Sequence, residues 1–208
     1  MLNMTRIAVL VSGGGTNLQA LINAEKKGIL KSGKIELVIS NKKDAYALVR
    51  AEKAGIPTAT VIRTKKGGQE EFERKVKNLL TEYHIDLIIL AGFMSILTED
   101  FTRDYPRRII NVHPALIPSF CGKGYYGLKV HEEALTKGVK VTGATVHFVN
   151  EIPDGGEIIA QKAVYIREDD TPETLQKRVM RLAEWQILPA SAEKISFQMN
   201  QKKAEEQA

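Results

Sequence analysis

The chain has 208 residues, 43% hydrophobic and 26% charged, the balance of an ordinary globular protein with ample length for a packed core. Its 30 basic and 25 acidic residues leave a net charge of +5 that is spread along the chain, without the basic stripe and interleaved aromatics of a nucleic-acid binder. That mild field suits small anionic substrates and serves solubility equally. No apolar run approaches the roughly 20 residues of a membrane span. The N-terminus carries no secretory pattern, and one cysteine, Cys121, cannot build a disulfide framework, so a reducing cytoplasm is the expected home.

Arg6–Ser12 is a short strand, apolar on both faces, followed by Gly13, Gly14 and Gly15 and the helical pattern Leu18, Ala20, Leu21, Ile22, Ala24. Strand, glycine turn and helix aim backbone N–H groups and a helix N-terminus at an anion. The spacing fits neither the dinucleotide fingerprint nor the P-loop. It fits a site for a single phosphate, with donors from Thr16 and Asn17, or a plain tight turn. Strands follow at 35–40, 58–62 and 86–91, with helices at 45–54 and 70–83, the last with Phe72, Val76, Leu79 and Leu80 as its core stripe. Strands alternating with helices imply a doubly wound, Rossmann-like, mostly parallel α/β sheet that binds ligands at the carboxyl ends of its strands.

Met94–Leu97 is apolar yet lies beyond a strand, either capping the core or walling a slot for a flat ligand. A short helix from Thr98 to Tyr105 precedes Arg108–Pro118, which is the most informative stretch. Ile109 and Ile110 lead into Asn111 and His113, two apart and so on one face, just before Pro114 ends the ladder. An isolated pair of this kind is either a satisfied polar pair at a strand exit or a site. The segment 119–129, with three glycines and three aromatics, is long enough to form a mobile cover. Beyond it come a short helix at His131, a strand at 142–149, a tight loop carrying Asp154, and a strand at 158–165. So short a loop makes the last two strands antiparallel, giving the sheet an antiparallel C-terminal edge. Thr171 and Pro172 start a helix with Leu175, Val179, Leu182 and Ala183 buried. Pro189 should kink or end it, and the polar tail 201–208 should fray. With no repeat or linker, residues 1–208 are expected to form a single domain.

Ser12–Asn17, Ala91–Met94, Asn111–Pro118 and Asp154–Gly156 occur in the order and spacing of the folate-dependent formyltransferases, and the chain resembles that family from Ile7 to about Ala192. The resemblance implies a formyltransferase fold and formyl transfer from 10-formyltetrahydrofolate, as cosubstrate, to the amine of glycinamide ribonucleotide (GAR). It assigns the phosphate to Gly15, Thr16 and Asn17. Folate falls to Met94, Ser95, Ile96, Leu97 and Asn111, with the 150–154 loop bordering its pteridine. Catalysis falls to Asn111, His113 and Asp154, and contact with the substrate's amine and ribose end to Glu184. Ser95 stands where many members have Arg, and Gln69 where a basic residue meets the folate tail. The loop after Pro118 is longer than in some members.

The chemistry is sensible on its own terms. An amine attacking a formamide makes an oxyanion, which Asn111 and a protonated His113 can meet, while Asp154 is expected to raise the pKa of His113. No metal is expected. His84, His131 and His147 are scattered and read as core or surface residues, although His147 can touch the site from its strand. A hydrolase or a formyltransferase for another amine would carry extra domains that this chain is not expected to have. A nucleotide-binding module would leave Asn111, His113 and Asp154 without a shared purpose. Monomer and homodimer are both open.

Overall fold

The computed structural model describes residues 4–206; part of the N-terminal reading and the last two residues of the tail lie outside the described residues. The chain divides into two compact units, Thr98–Ser191 and a unit comprising the rest.

The first unit holds four parallel strands, β1 (Thr5–Val11), β2 (Gly33–Ser40), β3 (Thr58–Thr60) and β4 (Leu87–Leu90), in the order β3-β2-β1-β4. Ile7 to Val11 are fully buried, as expected of a parallel strand covered on both faces. The connecting helices are α1 (Thr16–Lys26), α2 (Tyr46–Lys53) and α3 (Gly68–Glu82). Phe72, Val76 and Leu80 of α3 are buried, whereas Leu79 is only half-buried. β3 stops at Thr60, two residues short of the expected end.

The second unit holds α4 (Glu99–Asp104), β5 (Ile109–His113), α5 (Leu128–Thr136), β6 (Val141–Phe148), β7 (Ile158–Tyr165) and α6 (Pro172–Val179). β5, β6 and β7 are successively antiparallel. The fold is α/β, with parallel strands in the first unit and, in the second, the antiparallel C-terminal edge anticipated from the sequence. Thr171 caps α6 by a capping box with Thr174, and Pro172 occupies the first turn.

The C-terminal region differs most from expectation. After α6 the chain makes a π-helical turn, Met180–Glu184, in which the Trp185 N–H reaches back five residues to the Met180 carbonyl. That extra residue rotates the face: Leu175, Val179, Ala183 and Glu184 are buried, while Leu182 is 37% exposed. Pro189 does not end the helix, for α7 runs from Trp185 to Glu206 and includes the tail expected to fray. The N–H missing at Pro189 would have met the Trp185 carbonyl, where the ladder is already irregular, so the proline costs one bond. Downstream, α7 is tied down. Glu193 accepts from Lys31 N, Ser32 N and Ser32 Oγ, Thr5 Oγ1 donates to the Ser196 carbonyl, and Lys203 pairs with Asp86 at 2.6 Å. No described helix is long and apolar enough to cross a membrane.

Candidate active site

In the first unit, β1 leads into the glycine turn. Gly15 caps α1 in the left-handed region (φ 70°), and a side chain there would meet Ala47 Cβ at 2.6 Å, so glycine is required. Gly13 and Gly14 are different: a Cβ at either would meet nothing within 4 Å. Their bareness leaves the backbone open to an approaching anion. Thr16 and Asn17 open α1, Asn17 being largely buried. Arg50, which the sequence did not single out, donates its Nε–H to the Gly14 carbonyl at 2.8 Å and brings a cation to the turn.

The segment after β4 is fixed in the same unit. The Met94 N–H donates to Ser12 Oγ (2.8 Å), and Asn41 Nδ2 donates to Ser95 Oγ (2.8 Å). Met94 and Ile96 are 48% and 65% exposed, as residues offering an apolar wall must be, but Leu97 is buried in the core. Gln69 donates to the Ile96 carbonyl and to Glu73, and accepts from Arg63.

In the second unit, β5 delivers Asn111 and His113 and the β6–β7 loop delivers Asp154. His113 Nδ1 lies 3.5 Å from Asp154 Oδ2. Across the antiparallel ladder Asn111 faces His147, whose Nε2 is 3.2 Å from Asn111 Nδ2 and 3.5 Å from Asp154 Oδ1. His147 is therefore both buried, as a core residue would be, and part of this cluster, which it reaches from its strand as the sequence allowed. Its Nδ1–H donates to the Phe148 carbonyl (2.7 Å), and in the tautomer that leaves Nε2 bare one N–H of Asn111 donates to that nitrogen. The other N–H of the carboxamide is left to point elsewhere. Strand pairing made this partner findable, since residue 147 is opposite residue 111 once the register is known.

The segment 119–129 was expected to be long enough for a mobile cover. Its first part contacts the cluster: the Phe120 carbonyl accepts from His113 Nε2 (2.8 Å), and the Gly122 N–H donates to Asp154 Oδ2 (2.9 Å). The last part is helix, for α5 begins at Leu128. His131 is fully buried in α5, His84 is exposed beyond α3, and Glu184 is buried within the π turn.

Burial pushes the His113 pKa below its ordinary value; the Asp154 charge acts upward on it, as expected from the sequence, and the Phe120 carbonyl does the same, but together they do not overcome burial. Burial acts upward on Asp154, yet His147, the His113 charge and the Gly122 N–H outweigh it and hold the carboxyl below the usual range. Asp154 is thus ionised at neutral pH. A carboxamide donor, an imidazole and a carboxylate together can stabilise an oxyanion and move a proton.

The chain matches the formyl transferase family over residues 5–191. The chain belongs to the formyl transferase family. Among formyl transferases it is 44% identical to the phosphoribosylglycinamide formyltransferase of Haemophilus influenzae over 186 residues, which is 89% of this chain and 84% of that protein. It is equally identical (44%) to the trifunctional purine biosynthetic protein adenosine-3 of Gallus gallus, of which it spans only 19%. The crystal structure of glycinamide ribonucleotide transformylase 1 from Symbiobacterium toebii superposes with a TM-score of 0.86 at 38% identity, covering 93% of this chain and 88% of that one. The phosphoribosylglycinamide formyltransferase of Brucella melitensis gives 0.85 at 38% identity, covering 93% and 96%.

Proposed function

We propose that this formyl transferase moves the formyl group of 10-formyltetrahydrofolate to the amine of GAR, giving formylglycinamide ribonucleotide and tetrahydrofolate in de novo purine (IMP) synthesis. The observation that carries the reading is the convergence of Asn111, His113 and Asp154 in a chain so similar to the Haemophilus enzyme over most of both lengths.

In this reading the amine nitrogen attacks the formyl carbon and the carbonyl oxygen becomes an oxyanion. Asn111, one N–H anchored on His147, donates the other to that oxygen; a well-aimed donor is worth roughly 10²–10³ in rate. His113 carrying a proton on each ring nitrogen supplies the second donor, and ionised Asp154 favours that form against burial. The C–N bond to the folate then breaks. The proton lost by the amine passes through Asp154, by way of water, to the departing nitrogen, so protons balance without a covalent enzyme intermediate. The turn at Gly15, Thr16 and Asn17 takes the ribonucleotide's phosphate on a helix N-terminus. Met94 and Ile96 offer apolar surface to the folate, Ser95 and Asn111 offer it polar groups, and Glu184 meets the substrate's amine and ribose end. Leu97 supports this wall from the core rather than touching ligand. The single free cysteine is in keeping with a reducing, cytoplasmic setting.

A two-step trace tests the proposal. The protein is mixed with 10-formyltetrahydrofolate, the folate absorbance is followed, and GAR is then added. Deformylation that begins only with GAR is the expected result. Deformylation before GAR would make the protein a hydrolase, and no change throughout would reject this acceptor.

A further inference from the structure

We infer that Phe120 is a positioning residue for His113: its main-chain carbonyl holds the Nε2–H and so makes Nδ1 the nitrogen that meets the oxyanion. A carbonyl can only accept, so at 2.8 Å the Nε2 of His113 must carry hydrogen in every protonation state. Nδ1 is then bare in the neutral ring and gains its hydrogen only in the imidazolium. It faces Asp154 Oδ2 at 3.5 Å. The donor that the reaction needs is therefore the hydrogen that arrives on Nδ1, on the side of the carboxylate that favours it.

The geometry of the loop supports a built clamp. Phe120 has φ 50°, a left-handed conformation that disfavours any residue with a Cβ, and Asp154 is likewise left-handed at φ 57°. Two non-glycine residues in the left-handed region thus flank one imidazole, each turning a polar group toward it. Phe120 and Gly122 act together: the carbonyl of the first takes the imidazole, and the N–H of the second takes Asp154 Oδ2, so one short segment sets both partners. The turn is braced by Ser119 N to the Leu116 carbonyl (2.9 Å), Tyr125 N to the Gly122 carbonyl (3.1 Å) and the Phe120 ring against Tyr125. The titratable groups facing His113 are Asp154, His147 and His131, with the Cys121 thiol beside Asp154.

The catalytic consequence rests on the proposed role of His113, but the tautomer does not, and the test separates them. Nitrogen-15 spectra of histidine-labelled protein, with His113 assigned by the resonance lost in His113→Gln, give the tautomer directly. The expected result above its pKa is the Nε2–H form. The Nδ1–H form in the wild-type protein would overturn the inference, whatever the enzymatic activity. Phe120→Pro cannot hold a positive φ, whereas Phe120→Gly holds it freely. Phe120→Pro is expected to mix the tautomers and lower kcat by at least about tenfold, with KM for either substrate changed far less, as for loss of a partner that orients a reacting ligand. Phe120→Gly is expected to keep the Nε2–H form and recover most of the kcat lost in Phe120→Pro. A folded Phe120→Pro, by circular dichroism and the fluorescence of Trp185, that retains the pure Nε2–H form would refute the assignment of the carbonyl.

Discussion

His131 offers a quantitative test of the environment behind His113. It is fully buried in α5, and neither ring nitrogen has a hydrogen-bond partner among the described residues. Burial, aided by the His113 charge, lowers its pKa from 6.5 to about 4. Because the folded-state pKa is depressed, the unfolded chain binds the proton first as pH falls. Stability is therefore full above pH 6.5 and drains away between 6.5 and about 4. Linkage over that interval gives a loss of about 2 kcal/mol by pH 5 and about 3 kcal/mol by pH 4 from this residue alone. His131→Leu removes the titration and also an unpaired buried N–H, which costs roughly 1–3 kcal/mol where it is left. Urea denaturation at pH 7.5, 6.5, 5.5 and 4.5 should show the variant at least as stable as wild type at neutral pH. Its advantage should then widen as the pH falls. Curves that stay parallel from pH 7.5 to 4.5, or a His131 resonance that titrates near 6.5, would refute the reasoning.

Three other substitutions probe the rest of the site. Asn111→Ala should lower kcat by at least about a hundredfold while unfolding free energy stays within about 1 kcal/mol, measured by steady-state rates and denaturant melts; a matching loss of folding would make Asn111 a structural residue. Asp154→Asn removes the charge that opposes burial at His113, so the alkaline limb of kcat/KM should move to lower pH, and an unmoved limb would take Asp154 out of that role. Gly15→Ala places a side chain on a left-handed residue against Ala47, so it should lose about 1–3 kcal/mol of stability and raise the KM for the ribonucleotide. Wild-type values for both would mean that the turn is neither strained nor in contact with phosphate.

What could be seen in the sequence followed from chemistry that is local in the chain. The apolar run through Ile7–Val11 and the glycines after it specify a buried strand and a bare turn within a dozen residues. Asn111 and His113 share a face by the two-residue period alone, and Asp154 stood out as a carboxylate in a loop too short to hide it. What escaped depended on pairing or on long-range burial. That His147 can touch the site was legible, but its place opposite Asn111 depends on β6 running antiparallel to β5 in one particular register. Arg50 reaches the glycine turn from a different helix. The roles of the Phe120 carbonyl and the Gly122 N–H are main-chain properties, to which side-chain identity gives no clue. That Asp154 raises the His113 pKa could be read from the motifs, whereas the burial that outweighs it could not. Leu182 and Pro189 were misjudged for a shared reason: one π turn changes which residues face inward and where a missing N–H matters.

The most direct test of the central claim follows the carbon. The protein is incubated with 10-formyltetrahydrofolate labelled with carbon-13 in the formyl group and with GAR, and the products are analysed by mass spectrometry. Labelled formylglycinamide ribonucleotide forming in step with tetrahydrofolate, and vanishing with Asn111→Ala, is the predicted result. Labelled formate in its place, with GAR unchanged, would contradict formyl transfer to this amine.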